Sequence, residues 1–312
     1  MQKFILIVAG LIVVGILTIV FVSWRRPLAV AAYLHRRELA KAGVTKKTIS
    51  TSAGIQTVFE GGTGPTVILL HGAGDQAGAW AKVVPALVSQ YHVVIPDLAG
   101  HGDSQPKTGP LSVATIFRSV EQLAEKQPGK LILVGNSLGA WLATLYAHDH
   151  PERIERIVLV NGGALMGDRP DLILAPKDRD EARKLLREIM DPGNAELPNY
   201  VVDDIVREAQ TGALMRMSQT ASEMPKFLLT GRFHEVRTPT DLLWGEADRM
   251  MSLDYAKRLQ QQMPAAQLTT LPRCGHAPQM ECPKAFTKAL IEILASPLPQ
   301  PQSAVLSTGE AK

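Results

Sequence analysis

The stretch LILVGNSLG at residues 131–139 decides the fold. It opens with an apolar run typical of a buried strand and continues as Gly-x-Ser-x-Gly into a helical pattern at 138–148. Small residues on both sides of Ser137 allow a tight turn that raises the serine hydroxyl above the sheet, at the N-terminus of a helix. The stretch therefore predicts a nucleophilic serine between a strand and a helix.

Strand and helix patterns alternate on both sides of this turn. We expect strands at 55–59, 66–70, 93–96, 131–134, 157–160, 241–244 and 267–271. We expect helices at 79–90, 111–126, 138–148, 253–263 and 283–295. Such alternation is typical of the α/β class, in which a mostly parallel sheet is covered by helices on both faces.

Two later strand ends carry the groups that would activate the serine. A serine hydroxyl is a poor nucleophile, so a base must remove its proton and a third group must orient that base. His276 and Asp248 follow predicted strands, and the chain order Ser137, Asp248, His276 suits three catalytic residues on strand ends of one sheet. Glu246 is a rival for the acid role, whereas the strand end at Asn161 carries no acid.

Two backbone amides are candidates for stabilising a developing oxyanion. One is the Leu138 N–H, directly after the nucleophile, and the other is the Ala73 N–H in the loop after an early strand. We expect His71 to brace that loop. The acidic and histidine side chains of the Gly-rich turn at 96–104 are expected to satisfy buried backbone groups.

Composition excludes several classes of protein. The 312 residues are 46% hydrophobic and 20% charged, as in a folded globular protein. The net charge of +3 comes from the first 26 residues, so nothing points to nucleic acid. Cys274 and Cys282 lack the spacing of a metal site and are expected to be free thiols. The residues imply neither a cofactor nor a metal.

The N-terminus predicts a membrane anchor. Residues 4–22 carry no charge and as a helix would reach roughly 28 Å, the thickness of the hydrocarbon core. We expect an uncleaved, single-pass anchor at 1–26 in a bacterial cytoplasmic membrane and a juxtamembrane helix at 27–43. Basic residues after the apolar run favour a cytoplasmic catalytic domain, but they would also hold a helix against anionic lipid, so the membrane face stays open. No dimer through these helices can be derived.

The remaining chain divides at a change of pattern. Residues 44–165 and 238–296 alternate strands with helices, whereas 166–237 has helical pieces only. We interpret 166–237 as a helical cap, or lid, inserted into the sheet domain. The tail at 297–312 is rich in Pro, Gln, Ser and Gly and is expected to be disordered.

Together, these motifs resemble the α/β-hydrolase fold family over residues 55–295. The resemblance implies an eight-stranded sheet with a cap, and a triad of Ser137, Asp248 and His276. The N-terminal helices resemble those of membrane-anchored bacterial lipases, esterases and phospholipases A. This implies hydrolysis of acyl esters, with lipids or phospholipids as substrates.

Three alternatives stay open. The elbow Gly135-Asn136-Ser137 also resembles that of carbon–carbon bond hydrolases of ring-cleavage products, although these usually have a Trp after the catalytic His, where this chain has Ala277. An acyltransferase on the same fold would pass the acyl group to an alcohol instead of water. A membrane-tethered binding module would use the fold without an activated serine.

Overall fold

The computed structural model describes residues 2–167, 171–263 and 265–299. The strands are β1 (Thr45–Thr51), β2 (Gly54–Gly61), β3 (Thr66–Leu70), β4 (His92–Pro96), β5 (Leu131–Asn136), β6 (Ile154–Val160), β7 (Thr240–Gly245) and β8 (Gln267–Leu271). The helices are α1 (Gln2–Arg25), α2 (Pro27–Lys41), α3 (Val84–Leu87), α4 (Val113–Glu125), α5 (Leu138–Asp149), α6 (Arg179–Ile189), α7 (Asn199–Thr211), α8 (Ala213–Ser218), α9 (Leu253–Gln262), α10 (Pro278–Glu281) and α11 (Pro283–Ala295).

The eight strands form one sheet in the order β1-β2-β4-β3-β5-β6-β7-β8. The pairs β1–β2 and β2–β4 are antiparallel, and every pair from β4–β3 to β7–β8 is parallel. This confirms the predicted eight-stranded, mostly parallel sheet. Because the carboxyl ends of parallel strands share one edge, the loops after β3, β5, β7 and β8 lie on the same side of the molecule.

Apolar side chains cover both faces of the sheet. Alternate residues of β3 enter two separate cores: Ile68 packs with residues of α4, α5 and α9, whereas Val67 packs with residues of α2, α3 and α11. All of β3 and β5 is buried. This double cover explains why the central strands have continuous apolar sequences instead of alternating ones.

Two local predictions differ from the structure. The sequence did not predict β1, because most of its side chains are exposed at the edge of the sheet and form no apolar run. The helix expected at 79–90 is a 3-10 turn at Ala77–Trp80 followed by the short α3. Pro85 lies in the first turn of α3, and in a continuous helix it could not donate to the Ala81 carbonyl and its ring would clash with that carbonyl, so the two pieces are separate.

The segment between β6 and β7 is helical and contains α6, α7 and α8. It packs over the carboxyl edge of the sheet: the indole of Trp141 in α5 donates to the Phe227 carbonyl at 2.6 Å, and Leu214 lies against Gly74 in the loop after β3. The predicted cap at 166–237 includes residues 168–170, which lie outside the described residues. Its movement as a lid stays a prediction.

The N-terminal helices meet at a sharp bend. Within the described residues, no single helix has both the length and the hydropathy of a membrane span, whereas Val13–Arg25 and Pro27–Lys41 pass that criterion only as a pair bent by 104°. The transmembrane anchor at 1–26 is therefore not confirmed and stays a prediction. Of the tail predicted to be disordered, residues 300–312 lie outside the described residues.

Cys274 and Cys282 form a disulfide, so the expectation of two free thiols is wrong. Their Cα atoms are 5.8 Å apart, a separation that a disulfide readily spans. The turn after β8 brings Cys274 to the junction between α10 and α11, where Cys282 lies. Sequence spacing does not reveal this return of the chain.

Candidate active site

Ser137 lies in the sharp turn between β5 and α5. Its backbone has φ 54° and ψ −113°, an unusual conformation for a residue other than glycine. The Ser137 N–H donates to the Val160 carbonyl of the neighbouring strand β6 at 2.9 Å. Strained backbone of this kind is characteristic of functional sites, and here it gives the turn the shape that the sequence predicts.

Close backbone packing holds this turn. A Cβ on Gly135 would lie 2.2 Å from the Gly139 carbonyl oxygen, and one on Gly139 would lie 2.2 Å from the Leu70 carbonyl oxygen. A Cβ on Gly162 would lie 2.6 Å from the Ser137 carbonyl oxygen. Only glycine fits at the three positions. The sequence motif includes the first two, whereas nothing in the sequence pointed to Gly162.

Asp248 and His276 meet, as their positions after β7 and β8 predict. The His276 Nδ1 donates to the Asp248 Oδ2 over 2.7 Å, because an ionised carboxylate only accepts hydrogen bonds. Both residues are buried, with exposed fractions of 2% for Asp248 and 9% for His276. The rival acid Glu246 is exposed. Asp248, not Glu246, is therefore the acid that contacts the histidine.

His276 is tied to the residue before the nucleophile. The Asn136 side-chain amide donates to the His276 carbonyl oxygen at 2.8 Å and accepts from the Gln279 side chain at 3.1 Å. No hydrogen bond joins the Ser137 hydroxyl to His276 within the described residues, and such bonds often become short only in the substrate complex. The structure thus brings the loop of His276 to the elbow. Nothing in the sequence indicated that Asn136 and Gln279 make these contacts.

Asn161, at the end of β6, is another residue whose role the sequence did not reveal. Its Nδ2 donates to the Asp248 Oδ2 at 2.8 Å, and its Oδ1 accepts from the Gly245 N–H at 2.9 Å. The backbone N–H groups of Met250 and Met251 donate to the other Asp248 oxygen, each at 2.9 Å. The Asp248 carboxylate is thus held on both oxygens.

The two candidate oxyanion donors lie in loops that converge on the serine. A Cβ on Gly72, next to Ala73, would lie 3.3 Å from the Ser137 Cβ, and Leu138 directly follows the serine. Within the described residues, neither the Ala73 nor the Leu138 amide donates to a protein acceptor. Both amides are therefore free to bind an external oxygen.

His71 braces the loop that carries Ala73. Its Nδ1 donates to the Gly72 carbonyl at 2.8 Å, and its Nε2 accepts from the Leu98 N–H at 3.0 Å. Complete burial lowers the pKa of His71 to about 4, so the imidazole is neutral at physiological pH. Asp97, in the neighbouring turn, accepts from the Ala77 and Asp103 amides, as expected, and also pairs with Arg36. The expectation is wrong for Asp103, whose carboxylate pairs with Arg36 and Lys46.

The described residues contain no group of three or more His, Cys, Asp or Glu side chains that could hold a metal ion. The chemistry available at this edge is that of a buried acid–base pair beside a serine in a strained turn, with two free amides nearby. This set matches the requirements of acyl transfer through a covalent intermediate.

Known proteins are similar to this chain in sequence and fold. The sequence profile of the alpha/beta hydrolase family matches residues 67–289. A 2-hydroxy-6-oxononadienedioate/2-hydroxy-6-oxononatrienedioate hydrolase of Burkholderia vietnamiensis is 30% identical over 259 residues, 75% of this chain and 88% of the relative. Human monoacylglycerol lipase ABHD6 is 25% identical over 74% of this chain and 76% of its own length.

A solved structure is similar over most of the chain. A membrane phospholipase A, a bacterial virulence factor, is 25% identical and superposes with a TM-score of 0.75 over 94% of this chain and 98% of its own. Fold, profile and sequence relatives agree. The chain belongs to the alpha/beta hydrolase family.

Proposed function

We propose that this protein is a serine hydrolase that cleaves carboxylic esters through an acyl-enzyme on Ser137. The observation that carries the proposal is the buried hydrogen bond between Asp248 and His276. The backbone carbonyl of His276 accepts from Asn136, the residue before Ser137 with its strained backbone. Asp248 fixes the proton of the imidazole on Nδ1, which leaves Nε2 free to accept the serine proton.

The reaction follows from these positions. His276 Nε2 removes the proton of Ser137 while the serine oxygen attacks the ester carbonyl, and the Ala73 and Leu138 amides bind the resulting oxyanion. The protonated His276 then gives its proton to the departing alcohol, and the acyl group stays on the serine. A water molecule, deprotonated by His276, attacks the acyl-enzyme, releases the carboxylic acid and restores the serine.

Lipid esters are the proposed substrates. A membrane phospholipase A and a monoacylglycerol lipase are among the similar proteins, and the likeness to the phospholipase covers 94% of this chain. Helix α1 exposes large apolar side chains, among them Leu17, Phe21 and Trp24, which water solvates poorly. An enzyme attached to a bilayer through this helix would reach acyl esters at the lipid surface.

The disulfide supports one membrane face. Disulfides persist in oxidising compartments and are rare in the cytosol. We therefore place the catalytic domain on the outer side of the membrane, although the basic residues after the apolar run favour the cytoplasmic side. Trypsin added to spheroplasts, in which the outer face of the cytoplasmic membrane is accessible, would digest an outward-facing domain and leave an inward-facing one intact.

Carbon–carbon bond hydrolysis is the second candidate, because a 2-hydroxy-6-oxo-6-phenylhexa-2,4-dienoate hydrolase and hydrolases of 2-hydroxy-6-oxononadienedioate are among the sequence relatives. The same serine, histidine and amides would serve either reaction, so the substrate decides between them. An acyltransferase would share the acyl-enzyme and differ only in the acceptor.

A substrate panel tests the proposal. The purified full chain in detergent is assayed with p-nitrophenyl butyrate, a phospholipid, a monoacylglycerol and 2-hydroxy-6-oxo-6-phenylhexa-2,4-dienoate. We expect hydrolysis of the esters, with the loss of nearly all activity in Ser137→Ala. Turnover of the dienoate alone would favour the second candidate, and ester cleavage that survives Ser137→Ala would contradict the mechanism. Added acceptor alcohol would reveal acyl transfer as a new ester product.

A further inference from the structure

We propose that Asn161 is a positioning residue that controls how strongly Asp248 stabilises the protonated form of His276. This inference rests on the proposed function, because it concerns the base that activates Ser137. It assigns a role in the reaction to the end of β6, a strand that supplies none of the three triad residues.

The geometry of Asn161 is specific. Its side chain is fully buried and connects two elements, because its Nδ2 donates to the Asp248 Oδ2 at 2.8 Å while its Oδ1 accepts from the Gly245 N–H at 2.9 Å. Its backbone has φ 44°, in the left-handed region where Asn is favoured over most other residues. One amide thus holds both the end of β7 and the carboxylate that follows it.

The acceptor oxygen is shared. The Asp248 Oδ2 receives both the Asn161 amide and the His276 Nδ1, at 2.8 and 2.7 Å. An oxygen that accepts two hydrogen bonds divides its negative charge between them, so the amide weakens the attraction of Asp248 for the imidazolium. The amide also prevents the carboxylate from rotating away from the histidine.

An amide is the group that satisfies both contacts at every pH. Asn offers one donor and one acceptor, and neither titrates. A carboxylate at position 161 would keep the acceptor for Gly245 but would place a second acid 2.8 Å from Asp248, and two such acids cannot both ionise without strong repulsion. Removing the side chain would leave the Gly245 N–H without its partner.

Other charged groups surround this pair. The elements packed against Asp248 and His276 contribute Glu246 and Arg249 after β7, Glu281 in α10, and Glu188 and Asp191 at the end of α6. Arg249 donates to the Arg187 carbonyl, and Glu281 accepts from the backbone amides of Gly275 and Asp191. These groups set a background charge that substitution of Asn161 leaves unchanged.

Two variants separate charge from structure. Asn161→Asp keeps the shape of the side chain and adds a carboxylate, whereas Asn161→Gly removes the side chain and tolerates the positive φ. Asn194→Asp, at an exposed position outside the site, is the matched control for one added charge. Thermal unfolding of each variant is measured first. The pH dependence of kcat/KM for p-nitrophenyl butyrate, and of the rate of fluorophosphonate labelling, is then compared with that of the parent chain.

The two substitutions are expected to move the acid limb of these profiles toward higher pH. In Asn161→Asp the two acids share a proton while His276 is neutral, and the second acid ionises most readily when His276 is protonated; the two ionisations therefore favour each other, which shifts the limb by about one to two pH units. In Asn161→Gly the shift has the same sign and is smaller, and kcat falls more than KM changes. Asn194→Asp leaves the profile in place.

Unchanged acid limbs in both variants would overturn the inference, even if activity fell, because a structural role alone lowers stability without moving an ionisation. If one variant does not fold, the pH profile of the other decides the inference, because a shift of the acid limb to higher pH is expected in each. A parent chain that neither hydrolyses esters nor labels would instead contradict the proposed function itself.

Discussion

The nucleophile and the acid–base pair of this site are held by two different kinds of structure. At the elbow, backbone packs directly on backbone, and Gly135, Gly139 and Gly162 leave no room for a Cβ. Around Asp248 and His276, side-chain hydrogen bonds from residues such as Asn161 and Asn136 determine the geometry. The elbow thus tolerates no added atom, whereas the pair is adjustable by small chemical changes.

The helical segment between β6 and β7 also forms hydrogen bonds that hold the loops of Asp248 and His276. Three consecutive carbonyls at the end of α6 accept from the loops of the pair: Arg187 from the Arg249 side chain, Glu188 from the Arg249 amide at 2.8 Å, and Ile189 from the His276 amide at 2.7 Å. Carbonyls at a helix C-terminus lack partners within the helix, so they are available for such contacts. The acid and base loops are therefore joined to the end of α6, whereas the elbow packs against the sheet.

The largest effect is expected from Gly139→Ala. Its Cβ would lie 2.2 Å from the Leu70 carbonyl oxygen, and backbone cannot move away as a side chain can. We expect the free energy of unfolding to fall by about 3 kcal/mol or more, or the chain not to fold, as in severe overpacking. Denaturant unfolding measures this, with Gly193→Ala as the control at an exposed glycine. A stability within about 1 kcal/mol of the parent chain would refute backbone packing as the support of the elbow.

A smaller effect is expected from the paired change Cys274→Ser and Cys282→Ser. The disulfide closes a short loop that contains His276, so its loss should cost about 2 to 3 kcal/mol of unfolding free energy and lower kcat while the chain still folds. Denaturant unfolding and ester hydrolysis measure the two effects. Reductant should reproduce both in the parent chain and change nothing in the variant. If neither quantity moves, the disulfide does not support the pair.

The smallest effect is the loss of stability at acidic pH that is expected from His71, in the loop that carries Ala73. Burial lowers the pKa of His71 to about 4, whereas the unfolded chain has the ordinary value of 6.5. The unfolded state therefore binds more protons between these values, and stability is lost as pH falls from about 6.5 toward 4. At pH 5.5 the expected loss from His71 is about 1 to 1.5 kcal/mol.

His71→Gln isolates this contribution, because glutamine can donate and accept as the neutral imidazole does but does not titrate. Unfolding free energies of the two chains are compared at pH 7.5 and pH 5.5. The variant should lose less stability on acidification than the parent chain. Both chains still lose some stability through His101, because burial lowers its pKa to about 3. Equal losses in both chains would show that His71 is not buried as a neutral group.

The sequence predicted the parts of the site that follow strand ends. Ser137, Asp248 and His276 each follow an apolar strand pattern, so their places at one edge of the sheet could be inferred. Asn161 also follows a strand, but the sequence showed only that it was not an acid. Its hydrogen bond to Asp248 depends on the separation of two neighbouring loops, which no local pattern encodes.

Contacts between distant segments were missed for the same reason. The disulfide depends on how α10 returns the chain, and the Gly162 contact depends on how β6 lies beside the elbow. The exposed strand β1 lacks the apolar pattern that made the central strands recognisable. Local chemistry was therefore predictable, whereas its supports were not.

The central claim is that His276 activates the hydroxyl of Ser137. The most direct measurement is mass spectrometry of the chain after treatment with a fluorophosphonate, which reacts with activated serines. We expect one adduct on the peptide that contains Ser137, no adduct in Ser137→Ala, and labelling slower by about 100-fold or more in His276→Ala. An unlabelled Ser137 in the folded parent chain, or equal labelling rates with and without the imidazole, would contradict it.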